Sequence, residues 1–223
     1  MKVQIRSCLE GARDAEGTTI IIDVFRASNS IIACLERGAD FVMPVKTLKE
    51  AYLTKEKNPD CLLFGERFGF PPRGFDSGNS PEQISQMHLR NKRIILSTSA
   101  GSKGILAAKK AAKIIIASFA NARAVTEYIQ KLKVSQVTLV PIGLDAKEKA
   151  LEDELCAEYL KSKLQGLAVD FEQIRRQIWS SPGAKHLRSL GQTDDLEISL
   201  QLDLWTALPE YERVSQKITN HTK

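Results

Sequence analysis

The chain has 223 residues, 43% of them hydrophobic and 26% charged, which is enough apolar material for one sizeable core of ordinary globular composition. Its formal net charge of +5 favours anionic partners, but the basic residues are scattered as pairs such as Lys109-Lys110 and Arg175-Arg176, aromatics are 6%, and no base-stacking motif is present, so a nucleic-acid partner is not expected. No apolar run is long enough to span a membrane, the first residues lack the apolar stretch of a signal peptide, and Cys8, Cys34, Cys61 and Cys156 form neither Cys-x-x-Cys pairs nor a Cys/His cluster. A membrane protein, a zinc module and a disulfide framework are therefore set aside, and the expected location is the cytoplasm.

The predicted elements alternate. Residues 18–24 are a near-continuous apolar strand and 28–37 a helix. A strand over 41–45 and a helix over 48–57 follow. A short apolar strand over 61–64 runs into a long loop, which ends where Ser80 and Pro81 supply an N-cap and a first helical residue. Strands over 93–97, 113–117 and 136–140 then alternate with helices over 103–112, 122–131 and 151–163. From Asp170 the chain reads as mostly helical, with residues 219–223 frayed. Strand–helix alternation predicts an α/β fold, with a largely parallel or mixed sheet, helices on both faces and a helical C-terminal part. One domain over residues 1–223 is expected, and a division into two lobes is left open.

Four segments carry chemistry-bearing groups. The loop over 65–81 holds Glu66, Arg67, Arg73, Asp76 and Asn79 among glycines and prolines, at the carboxyl end of a strand, where α/β proteins tend to place ligand sites. In residues 22–30, Asp23 closes a buried strand and Arg26 opens the next helix. A strand-end carboxylate can hold a metal or activate a nucleophile, and it can equally be a structural partner of Arg26, with Ser28 a simple cap. A haloacid-dehalogenase phosphatase needs a second acid two residues after the first, and Phe25 stands there. The third segment, 96–104, offers Ser97, Thr98, Gly101 and Ser102 between strand and helix, without the spacing of a Walker A loop; it is an anion cradle or a capped turn. The fourth begins a helix with Glu152, Asp153 and Glu154, acids that complement the helix dipole or give oxygen to a hard cation. His88, His186 and His221 lack partner spacing, Ser180-Ser181-Pro182-Gly183 reads as a turn, and Asp194-Asp195 as a helix cap. Together these acids and arginines fit metal-assisted chemistry on a small, phosphorylated, multiply anionic molecule.

The order and content of these segments resemble the 2-phosphosulfolactate phosphatase (ComB) family of coenzyme M biosynthesis. The resemblance is carried by Asp23-Val24-Phe25-Arg26-Ala27-Ser28, by the nearly intact loop from Gly65 to Pro81, by residues 97–102, by Ala117-Ser118-Phe119-Ala120-Asn121-Ala122, by residues 151–157 and by the spaced Asp195, Asp203 and Pro209. It implies a Mg²⁺-dependent phosphatase that converts 2-phosphosulfolactate to sulfolactate and phosphate. On that basis Asp23, Glu66 and Asp76 are catalytic candidates, and Asp23, Glu152 and Asp153 metal ligands. Arg26, Arg67, Asn79, Ser97, Thr98, Gly101 and Ser102 are substrate-binding candidates, because guanidinium forks and backbone amides suit oxyanions. Attack by an activated water is the expected step, with a phospho-Asp23 intermediate as its rival. The chain departs from the family pattern at Ala100 and over residues 143–150, which leaves a phosphatase for another small phosphorylated organic acid, or a non-catalytic binder of an anionic metabolite, as alternatives. Assembly into a homo-oligomer is left open.

Overall fold

A computed structural model describes residues 1–221. In chain order the elements are β1 (Lys2–Ile5), α1 (Cys8–Asp14), β2 (Gly17–Ile22), α2 (Ala27–Glu36), β3 (Phe41–Pro44), α3 (Leu48–Lys57), β4 (Leu62–Gly65), α4 (Pro81–Ser85), β5 (Arg93–Ser97), α5 (Gly101–Ala107), β6 (Ala111–Ala117), a 3₁₀ turn (Phe119–Asn121), α6 (Ala122–Leu132), β7 (Gln136–Pro141), α7 (Leu151–Leu164), α8 (Phe171–Trp179), α9 (Pro182–Ser189), α10 (Thr193–Ser199), β8 (Pro209–Glu212) and β9 (Lys217–Asn220). Several helices start where the sequence supplies an oxygen to cap them. Thr47, Ser80, Asp170 and Ser181 accept from the N–H three residues on, at 3.1 Å in each case. Among the described residues no helix is long and apolar enough to cross a membrane.

The strands form one sheet in the order β1-β7-β2-β6-β8-β9-β3-β5-β4. β1, β7, β2 and β6 are parallel to one another, as are β3, β5 and β4. The β8–β9 hairpin joins the two blocks and pairs antiparallel at every step. Three reversals separate β6 from β3, so the two parallel blocks run in opposite senses. In a flat sheet their carboxyl ends would lie on opposite edges. Here the sheet coils. Neighbouring strands twist by about 20° each, and the β9–β3 seam is held by a single register pair, Val42 with Ile218. One hydrophobic cluster fills the inside of the coil. It takes Ile21, Ile116 and Val140 from one block, Val42, Phe64 and Ile94 from the other, and Ile31, Ile32 and Leu35 from α2. The sheet surrounds α2, which is buried continuously from Ala27 to Leu35, with Asn29 donating to the Val24 carbonyl and Ser30 to the Arg26 carbonyl in its polar first turn.

Side-chain alternation on β2 divides the cores. Ile21 faces the inner cluster, while Ile20 and Ile22 face an outer one with Val125 and Ile129 of α6, Leu160 of α7 and Leu196 of α10. A small third cluster, with Val45, Ala51, Leu63 and Ile95, seats α3 against the other block. Cys34, Cys61 and Cys156 are buried within these clusters, and all four cysteines are free.

The α/β fold with a mixed sheet matches the sequence expectation. Three local expectations are corrected. α5 ends at Ala107, because pairing with β2 draws Ala111 and Ala112 into β6. The last quarter is not helical throughout, since β8 and β9 lie in the middle of the sheet. Thr219 and Asn220, expected to be frayed, pair with Glu210 and Pro209, and residues 222–223 lie outside the described residues.

Ile218 is fully buried at the seam between the blocks. Ile218→Ala is expected to lower unfolding stability by about 2–4 kcal/mol in urea titration; a loss under about 1 kcal/mol would mean that the seam does not hold the blocks together.

Candidate active site

The coil brings the carboxyl ends of β2 and β7, from one block, to those of β4 and β5, from the other. Between them opens a cleft of 510 Å³ lined by residues that follow all four strands. Asp23 lies at its floor. One carboxylate oxygen accepts from the Ala27 N–H at 3.1 Å, and the Gly101 N–H adds a second backbone bond, so the group faces the first turns of both α2 and α5. Gly101 is there for close approach: a Cβ at that position would stand 2.7 Å from an Asp23 oxygen and 2.5 Å from the Ala27 Cβ. Burial nevertheless pushes the Asp23 carboxyl up to about 7, with the charges of Glu66 and Glu152 adding to the rise and the two backbone bonds opposing it.

Three more acids line the same cleft. Asp153 accepts from the Val24 N–H at 2.7 Å and the Gly143 N–H at 2.8 Å, which ties α7 to the ends of β2 and β7. Burial, and then the charges of Asp23 and Glu152, raise its carboxyl well above the usual range. Glu152 is raised by burial too, and a hydrogen bond with Ser181 pulls the other way. Glu66 accepts from the Ser99 N–H at 2.7 Å and the Gly69 N–H at 3.2 Å. Among the described residues no three carboxylate, imidazole or thiol groups stand close enough to enclose a metal by themselves.

Cations face these acids. Arg26 and Arg67 line the cleft with Lys103 and Lys147. Arg67 is held by the end of β5, donating to the Ser97 carbonyl at 3.1 Å and the Ser97 hydroxyl at 2.9 Å. Arg26 donates to Asp195 at 2.5 Å and to the Gly69 carbonyl at 3.1 Å. Gly69 belongs to a tight turn closed by the reciprocal backbone bonds of Arg67 and Phe70. Both central residues have positive φ, +56° at Phe68 and +86° at Gly69, and the Phe68 side chain is 90% exposed at the cleft mouth. Asn79 also lines the cleft, and its side-chain amide oxygen is buried without a hydrogen-bond partner.

Of the candidates named from sequence, Asp23, Glu66, Glu152, Asp153, Arg26, Arg67, Asn79 and Thr98 meet in this cleft. Ser97, Gly101 and Ser102 lie behind its wall. Ser97 holds Arg67, Gly101 supports Asp23, and the Ser102 hydroxyl donates to the Leu96 carbonyl at 3.2 Å while accepting from Thr98. Asp76 is a correction: it is exposed, outside the cleft, and accepts from the Leu63 N–H at 2.7 Å, so it fastens the long loop to β4 instead of facing a ligand. The structural reading that paired Asp23 with Arg26 is corrected as well, because Asp195 is the partner of Arg26. Asp195, Lys103, Lys147 and His186 were missed as site residues. His186, read as an exposed residue without partner spacing, lies on the cleft rim. Two acids at the start of α10 were the signal for Asp195, and a local cap explained them equally well.

The electrostatics give a pH dependence. The folded-state value of Asp23 lies above its ordinary 3.8, so the folded protein binds the proton more tightly than the unfolded chain. The associated stability is fully present below about pH 4 and is lost as pH rises through about 7. Without divalent cations, unfolding stability should fall from pH 5 to pH 8, and Asp23→Asn should remove a part of that fall on the order of a few kcal/mol, read by urea titration at each pH. Parallel pH profiles for the two proteins would show that Asp23 is not the titrating group.

A family model described as 2-phosphosulpholactate phosphatase matches residues 6–214. Similar curated proteins include one from Carboxydothermus hydrogenoformans, 36% identical over 94% of this chain and 93% of its own length, and one from Thermoplasma volcanium, 38% identical over 90% and 91%. A third, from Thermotoga maritima, is 33% identical over 86% and 88%. All three are named probable 2-phosphosulfolactate phosphatase. With acids and oxyanion-binding cations gathered in one cleft and the match running over nearly the whole chain, this protein belongs to the 2-phosphosulpholactate phosphatase family of phosphoric monoester hydrolases.

Proposed function

We propose that the protein hydrolyses 2-phosphosulfolactate to sulfolactate and phosphate with the help of Mg²⁺, in the cytoplasm, on the sulfolactate route towards coenzyme M that the family resemblance implies. The observation that carries the reading is the cleft in which Asp23, buried against two helix starts, meets Arg26 and Arg67. The substrate bears a phosphate, a sulfonate and a carboxylate. Arg26, Arg67, Lys103 and Lys147, all lining the cleft, supply matching charge.

The donor set suits a hard cation. Asp23, Glu152 and Asp153 are buried oxygen donors whose proton affinity burial raises, and the charge of Glu152 adds to the rise at the other two. Mg²⁺ commonly takes only one or two protein carboxylates, so a site without three converged ligands is compatible with it. Asp23 and Glu152 would hold the ion, while Asp153, with both oxygens on backbone N–H groups, keeps the two loops in place. Bound there, Mg²⁺ supplies charge stabilisation to the phosphoryl oxygens.

The chain's own groups do the rest. Arg26 and Arg67 place forked donors on the non-bridging oxygens, where negative charge is held through the transition state. Asp23, fixed by the Ala27 and Gly101 N–H groups at the floor of the cleft, orients the attacking water and accepts its proton. Asn79, with a buried and unpartnered oxygen, takes a hydrogen bond from the substrate or its hydration shell. Glu66 spends its oxygens on the Ser99 and Gly69 amides and so shapes the wall that carries Arg67.

Phosphate release from 2-phosphosulfolactate is the direct test. Turnover with Mg²⁺, its loss in EDTA, and a fall in kcat of about 10²–10⁴-fold in Asp23→Asn are expected. Full turnover in EDTA would remove the cation from the reaction, and turnover only of other phosphorylated hydroxy acids would move the substrate. A phosphorylated Asp23 trapped during turnover would replace proton transfer by covalent catalysis.

A further inference from the structure

Arg26 is the most deeply buried cation of the cleft, with 5% of its surface exposed, and its partner Asp195, at 3%, comes from a helix far along the chain. The Asp195 carboxylate is itself fixed on three sides. One oxygen accepts from Arg26 at 2.5 Å; the other accepts from the Ser80 hydroxyl at 2.5 Å and the Glu82 N–H at 3.2 Å. On the far side of the guanidinium, the Gly69 carbonyl accepts from Arg26 at 3.1 Å and from the Gln192 amide at 2.9 Å. The first turn of α10 therefore reaches the arginine twice, directly through Asp195 and through Gly69 by way of Gln192. Gly69 holds this turn at φ +86°, a conformation that side chains rarely adopt, with the end of the Leu190 side chain packed over it.

We propose that Asp195 is a positioning residue of the phosphatase site, fixing the plane and reach of the Arg26 guanidinium so that its unused N–H groups meet the phosphoryl oxygens. This inference rests on the phosphatase reading and on the place it gives Arg26. Two of the five N–H groups of the guanidinium are committed, one to Asp195 and one to Gly69, which leaves three for an oxyanion. A long flexible side chain with a fixed fork discriminates oxyanion geometry only when its plane is fixed. Asp195 fixes it from a position that does not touch the substrate, as ligand-orienting carboxylates do behind metal-binding histidines. The charge of Asp195 also keeps the guanidinium tolerable in a buried place when the cleft is empty.

The bland role for Asp195 is to staple α10 to α4 through Ser80 and Glu82. A double-mutant cycle in kcat/KM separates the two. Asp195→Asn keeps the shape of the carboxylate and an acceptor for Ser80 and Glu82, and is expected to fold and to lose about 10–100-fold in kcat/KM, mostly in kcat. Arg26→Lys is expected to lose at least as much, and adding Asp195→Asn to it should cost less than a further twofold, because the group to be positioned is gone. Ser80→Ala, which removes one of the two α4 bonds to Asp195 together with the α4 cap, should lower Tm and cost clearly less kcat/KM than Asp195→Asn, since Arg26 keeps its carboxylate. Asp195→Glu keeps the charge but shifts the fork by one methylene, and should remain folded with reduced kcat, which keeps the test open if the Asn variant does not fold. Full additivity of Asp195→Asn in the Arg26→Lys background, or a Ser80→Ala variant that loses as much kcat as Asp195→Asn, would overturn the positioning role while leaving the phosphatase reading intact. An Arg26→Lys variant with unchanged kcat/KM would overturn both, by removing Arg26 from the chemistry.

Discussion

Burying several carboxylates beside one another is unfavourable, and the architecture of this protein is organised around making it tolerable. Asp23 and Asp153 stay in place because four backbone N–H groups, from Val24, Ala27, Gly101 and Gly143, point at their oxygens. Those amides belong to the ends of two parallel strands, β2 and β7, and the starts of two helices, α2 and α5, so the acids can be seated only if both strands end where both helices begin. The coil of the sheet, the close approach at Gly101 and the sharp exit at Gly143 all serve that meeting. The remaining cost is visible in the raised proton affinities of Asp23, Glu152 and Asp153, which make the empty cleft a place prepared for positive charge.

The two arginines illustrate different solutions to the same task. Arg67 is short of carboxylate partners and leans on the carbonyl and hydroxyl of Ser97, so its charge is left largely for a ligand. Arg26 is deeper and carries a counter-charge in Asp195. A cleft with one neutralised and one free guanidinium, and with two lysines nearer its rim, grades positive charge from floor to mouth.

Much of this was legible from the residues alone. The apolar run over 18–24, the capped helix at Ser80 and Pro81, and the placing of Asp23, Glu66 and Arg26 at strand ends follow from local chemistry: burial on both faces, an N-cap oxygen, and the habit of α/β sheets of presenting ligands at carboxyl ends. What escaped was long-range. Nothing in Pro209–Glu212 or Lys217–Asn220 announces a central strand, since each has only four residues and one begins with proline. Asp76 had the right neighbours and the right residue type, and only the fold decides that its carboxylate turns back to Leu63. Asp195 was masked by a local explanation, and its partner Arg26 lies on the far side of the sequence.

The hairpin of β8 and β9 has a consequence for how the protein is made. Every strand of both parallel blocks precedes it in sequence, yet it occupies the middle of the sheet. A chain emerging from the ribosome can assemble each block by itself, but the blocks cannot register against one another until residues 209–220 arrive, and Val42 must then find Ile218 across nearly the whole described chain. Such high contact order places the joining step late and makes it slow. Until residues 209–220 are in place, the edges of β6 and β3 that they cover lack their strand partners, so the hairpin that completes the sheet also closes its two interior edges.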